Sequence, residues 1–185
     1  MQPTTYPNEM IIAETLQSYF AKYHFADGGY KDSHFRIKIG PLFIPIPNTE
    51  ARIRAVKIHD IHHILTEYTA FWKGEIEIGA WEIASGCGKH YVAWILNFGS
   101  FTVGLFLYPR ALFKAFMKGK TATTNLYHGY EYDTKLLQKS VGELRKEIGM
   151  DQIIKNKTRD YFHFLGWAFI AMLLPLSILL AFCEK

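Results

Sequence analysis

Residues 59 to 63, His-Asp-Ile-His-His, place three histidines and an aspartate in five positions, and Glu67 and Glu75 follow within the next twelve. Imidazole and carboxylate are the ligands that divalent zinc, iron and manganese take. On a helix advancing about 100° per residue, His59, His63, Glu67 and Asp60 project into one arc of about 100°, with His62 to one side. The His59/His63 pair, one turn apart, can offer two imidazoles to a single ion, and Asp60 adds a hard oxygen ligand. Glu75, separated from His63 by eleven residues, is positioned to return from the next helix. Glu82 lies seven residues further along the same face, in a role the spacing leaves open. Glu67 is read as orienting a neighbour or facing solvent, not as a ligand. These charges sit among leucines, isoleucines and aromatics, where a buried charge needs a partner or a metal.

Two helices must hold these ligands. The first runs over residues 49 to 66, with Asn48 and Thr49 as capping residues, and the second over 74 to 84, ended by Gly86-Cys87-Gly88. An earlier helix is expected over 9 to 24, capped by Asn8 and closed by the turn Asp27-Gly28-Gly29. Residues 34 to 47 alternate around Gly40-Pro41 and read as a short hairpin or extended arm covering a helical body. The nineteen residues 91 to 109 lack Asp, Glu, Lys and Arg, yet Asn97, Gly99, Ser100, Thr102 and Gly104 dilute them, so a buried core helix is expected there. A helix over 110 to 120 and an amphipathic one over 133 to 148, stopped by Gly149, complete the body.

Length fits one domain over 1 to 150, whose expected elements are helices apart from the arm at 34 to 47, followed by a basic linker at 151 to 160 and a final helix at 161 to 183. That last stretch has 23 residues without Asp, Glu, Lys or Arg. As a helix it would measure about 34 Å, enough to cross the hydrocarbon layer. Lys155, Lys157 and Arg159 before it would keep the body on the cytoplasmic side of a membrane. The alternative is a helix packed on the domain or lying in the membrane surface. A formal charge of +4 without a basic stripe or recognition motif argues against nucleic acid. Two distant cysteines exclude both a disulfide framework and a four-cysteine zinc site. The His-x-x-His-His box of membrane desaturases and lipid hydroxylases shares the letters of residues 59 to 63, but His24, His34, His90, His128 and His163 form no second box.

The pattern His-Asp-x-x-His, eleven residues, then Glu, realised here as His59, Asp60, His63 and Glu75, resembles the metal signature of the ubiquinone (coenzyme Q) biosynthesis protein four family. The segments "GEIEIGAWEIASGC" and "VGELRKEIGM" are similar to parts of the same family, and the likeness covers roughly residues 45 to 150. The resemblance implies an all-helical domain with an apolar tunnel for a polyprenyl chain beside one divalent metal, zinc, iron or manganese, bound by His59, Asp60, His63 and Glu75. It implies a homodimer working at a membrane, such as the cytoplasmic face of a bacterial inner membrane, within a possible biosynthetic enzyme complex. The activity implied is oxidative decarboxylation of a prenylated hydroxybenzoate, a hydroxyl replacing the carboxylate at ring carbon one. The competing reading is a non-catalytic scaffold that binds a prenylated or other polyprenyl lipid and presents it to other enzymes.

Overall fold

The computed structural model describes residues 5–39, 42–152 and 154–183, without the side chains of 35–39, 42–44, 46 and 174–183. The described residues form a helical body with one two-stranded hairpin, so the all-α expectation holds for the body. Helix α1 spans Ile12–Tyr23, and strands β1 (His34–Ile39) and β2 (Leu42–Pro47) pair antiparallel. There follow α2 (Glu50–Thr66), α3 (Trp72–Ser85), α4 (Tyr91–Leu107) and α5 (Pro109–Thr121). Short helices α6 (Thr134–Leu137) and α7 (Val141–Glu147) precede the long α8 (Thr158–Cys183). The hairpin expected over 34 to 47 is present, while its Gly40-Pro41 turn lies outside the described residues.

Helix α3 is buried on every side from Ile78 to Ala84, where apart from Glu82 its residues are small or apolar. Ile76, Ile78, Ala80, Trp81 and Ile83 are all buried. Two glycines let its neighbours approach. A Cβ on Gly79 would stand 2.2 Å from the Ser100 hydroxyl of α4, and one on Gly119 of α5 would stand 2.5 Å from the Trp81 carbonyl. One core joins α1, α2, α6 and α7 around Ile12, Tyr19, Ile58 and Leu144, and a second joins α3, α4, α5 and α8 around Phe101, Phe116 and Ile76.

Several boundaries differ from the sequence reading. The cap of α1 is the backbone of Ile11, because Asn8 is drawn to Arg145 instead, its Oδ1 accepting from Nη1 at 2.8 Å. Thr49 does cap α2, accepting from the Arg52 amide. The single helix expected over 133 to 148 is two, because Ser140 forms a capping box with Glu143 and starts α7 afresh. Helix α4 is less buried than expected: Ala93, Asn97, Phe101 and Gly104 face inward, whereas Ile95, Val103, Phe106 and Leu107 are exposed.

The first half of α8 is packed on the body rather than standing free. Phe164 meets Phe101, Phe113 and Phe116, Trp167 stacks on Trp94, and Ala171 is buried. Among the described residues no helix is long and apolar enough to cross a membrane. The anchor expected over 161 to 183 draws on residues 174 to 183, whose side chains lie outside the described part.

Candidate metal centre

The ligand atoms of His59 and His63 on α2 and Glu75 on α3 all lie within 4.8 Å of one another. His59 Nε2 and His63 Nε2 are 3.1 Å apart. The two Glu75 oxygens lie 3.4 Å from the first and 3.3 Å from the second. Gly74 makes the return of Glu75 possible: a Cβ there would stand 1.8 Å from the Thr69 carbonyl oxygen, so only glycine lets α3 start against the preceding loop.

The far nitrogens of both rings are committed. His63 Nδ1 lies 3.0 Å from the Tyr68 carbonyl oxygen, and His59 Nδ1 lies 3.0 Å from Glu82 Oε1. Both partners accept hydrogen bonds only, so each Nδ1 donates and each ring turns Nε2 inward, where its neutral form offers a lone pair. Two lone pairs and a carboxylate then face one another, an arrangement that calls for a cation between them. A proton on His59 serves when nothing else is there. Burial opposes that charge, but Glu82 and Glu75 outweigh it and hold the His59 pKa well above its ordinary value. Burial likewise opposes ionisation of Glu75, yet the two histidines keep its carboxyl well below the usual range.

Glu82 is fully buried and accepts from four groups. His59 and His62 donate to Oε1 at 3.0 and 2.6 Å, and Asn97 and Tyr127 to Oε2 at 2.5 and 3.2 Å. Burial would raise this carboxyl, but His59 and His62 hold it well down. His62 is not a ligand candidate: its Nδ1 serves Glu82 and its Nε2 accepts from the Leu126 amide at 3.0 Å. Burial of the ring lowers its pKa against the pull of Glu82.

Two of the residues read from the sequence sit elsewhere. Asp60 does not join the converging group, because one residue of helix turns it away from the His59/His63 edge. Its Oδ2 accepts instead from the Tyr30 hydroxyl at 2.5 Å, and burial pushes its pKa up to about 6 against the pull of His59, Tyr30 and His63. Glu67 is off the ligand arc altogether. Helix α2 ends at Thr66, Glu67 turns left-handed at φ 64, and its Oε1 accepts from Arg145 Nη2 at 2.8 Å.

A cavity of about 530 Å³ opens beside the triad, within the range of small-molecule sites. His59, Asp60 and Glu75 line it, together with Arg52, Val56 and Leu96 among others. Glu75 is 40% exposed and His63 only 1%, so the triad is reached from the Glu75 side. No family model matches this chain, nor does any curated protein or solved structure. The chemistry of the donor set fits a divalent first-row ion: two imidazoles and a carboxylate, with both imidazoles oriented from behind.

Of the four residues read from the sequence as ligands, the structure brings His59, His63 and Glu75 together and leaves Asp60 aside, and it places Glu82, whose role the spacing left open, behind His59. A glutamate inside the apolar run "IGAWEIA" was the available signal for a buried carboxylate needing donors. Tyr30, Asn97 and Tyr127 come from distant segments, and no local spacing announces them, whereas Arg52 lies seven residues before His59 on the same helix and went unread.

Proposed function

We propose that this chain is a metal-dependent enzyme acting on a prenylated hydroxybenzoate at a membrane surface, replacing the carboxylate at ring carbon one by a hydroxyl. The carrying observation is the inward convergence of His59 Nε2, His63 Nε2 and the Glu75 carboxylate at the edge of a cavity. A divalent ion held there would supply Lewis-acid polarisation and, as iron or manganese, access to oxygen chemistry. Overall the bond between ring and carboxylate breaks, carbon dioxide leaves, and an oxygen atom enters from an external oxidant. The chain's own residues bind and orient. Glu82 and the Tyr68 carbonyl fix the two imidazoles, while Val56, Ala93 and Leu96 give the ring an apolar wall. Three protein ligands leave a coordination position for substrate, which a closed structural site would not. That favours catalysis over a scaffold.

The membrane half of the reading is supported by the surface of α4, α5 and α8. From Ile83 to Tyr130 there is no Asp or Glu, and α8 adds only Asp160, which is buried and caps its own first turn by accepting from the Lys157 amide. Exposed on the same helices are Ile95, Phe106, Leu107, Phe162 and Phe169, beside Arg110, Lys114 and Arg159. Apolar side chains with cations and without exposed acids suit an anionic lipid surface.

Elemental analysis and native mass spectrometry of wild type and Glu75→Gln test the centre. One first-row metal per chain in wild type and loss of most of it in the variant are expected, with a prenylated aromatic extracted from wild type. Metal-free wild type binding the same lipid as the variant would overturn the enzyme and leave a lipid-presenting scaffold.

A further inference from the structure

The cavity beside the triad has a second charged wall. Arg52, Val56, His59 and Asp60 recur at i, i+4, i+7 and i+8 of α2, so all four face the same space. Arg52 and His59 are seven residues apart, about 10 Å of helix rise. A guanidinium therefore stands about two helical turns from the triad, with Val56 between them on α2 and Ala93 and Leu96 also lining the cavity.

The guanidinium is positioned rather than loose. Asn48 Nδ2 donates to the Gly29 carbonyl at 3.0 Å and to the Asp32 carbonyl at 2.8 Å, which settles the direction of the amide. Its Oδ1 then accepts from Arg52 Nη1 at 2.7 Å. Gly29 lies at φ +65, the left-handed region that glycine adopts without strain, in the loop that presents this carbonyl. Of the acidic wall residues, Glu75 belongs to the triad, and Asp60 accepts from the Tyr30 hydroxyl while its charge also acts on Arg52. A half-buried guanidinium held in place beside apolar walls is suited to a carboxylate or phenolate, with which it forms planar, charge-assisted hydrogen bonds.

We infer that Arg52 makes this wall of the cavity an anion subsite, and that the pocket selects a flat ring bearing negatively charged oxygen at both ends, one towards Arg52 and one towards the triad. This rests on the metal reading for the second end only. Hydroxybenzoates ionised at both groups belong to the class, as do aromatic dicarboxylates.

Terephthalate and 4-carbamoylbenzoate have the same shape and differ by one charge, so their affinities isolate the subsite. Calorimetric titration of metal-loaded wild type should show terephthalate bound roughly tenfold tighter. Arg52→Gln should erase that preference, Arg52→Lys should keep part of it, and the metal content of both should stay at the wild-type level. Equal affinities in wild type, no binding of either probe, or a common loss of both in Arg52→Gln with the preference intact would overturn the inference. Repeating the titration on Glu75→Gln separates the two readings. A preference that persists there, whatever the metal content of wild type, supports the Arg52 subsite even where the metal centre fails.

Discussion

Glu82 does more for this centre than any residue outside the triad. A buried carboxylate is costly unless donors surround it, and here four do, two from imidazoles and one each from Asn97 and Tyr127. In return it fixes the tautomer of His59, which turns Nε2 towards His63 and Glu75. Glu82→Gln keeps the shape but puts an amide N–H₂ where one carboxylate oxygen accepted, so at least one buried donor meets another donor. The expected cost is about 3 kcal/mol of stability. Metal affinity should fall roughly ten- to a hundredfold, as when the orienting partner of a ligand is lost. Urea unfolding of metal-free protein reads the first and chelator competition the second. Unchanged affinity in a folded variant would mean that His59 is oriented without Glu82.

At the scale of elements, α3 owes its place between α4 and α5 to residues without side chains. Gly119 brings α5 against the Trp81 carbonyl and the Ala84 methyl, at 2.5 and 2.7 Å from where its own Cβ would be. Gly119→Ala forces α5 off that surface and should cost about 1–3 kcal/mol, seen as a lower urea midpoint at unchanged slope. An unaltered midpoint would show that α5 can slide without loss. The two ligand helices were legible in sequence because Thr49 caps α2 and the histidines recur one turn apart, both local facts. Glu75 was read from the eleven-residue gap that returns the chain at the start of the next helix, and the close approach that Gly74 permits there was seen only in the structure. What stayed hidden is long-range. Asn8 looked like a cap, yet Arg145, 137 residues on, claims its side chain. Residues 133 to 148 kept a helical period through Ser140, but the capping box there competes with continuation and wins. Asp60 shares the helical arc of the ligands, and only the arrival of Tyr30 from a remote loop shows where its carboxylate goes.

The whole molecule is lopsided. Its acidic residues lie before Ile83 and after Tyr130, while α4, α5 and the described part of α8 expose aromatics, aliphatics and cations. Ile95 and Leu96 are exposed on α4, and Leu96 also lines the cavity, so the apolar surface is continuous with the way into the site. A ligand with an isoprenoid tail could then leave the tail in lipid while its ring meets the triad. If this surface docks on lipid, binding should require negative headgroups and weaken with salt, since each basic residue near such a surface contributes about 1 kcal/mol. Flotation with phosphatidylglycerol-containing vesicles should carry the protein upward at low salt, and pure phosphatidylcholine should carry less. Arg110→Glu with Lys114→Glu removes two attractive charges, about 2 kcal/mol and roughly a thirtyfold loss of partitioning, before the repulsion of the new acids is counted. Both positions are exposed, so the double variant should keep the wild-type unfolding midpoint. Equal flotation of variant and wild type, or none by wild type with anionic vesicles, would show that the acid-free face meets something other than a bilayer.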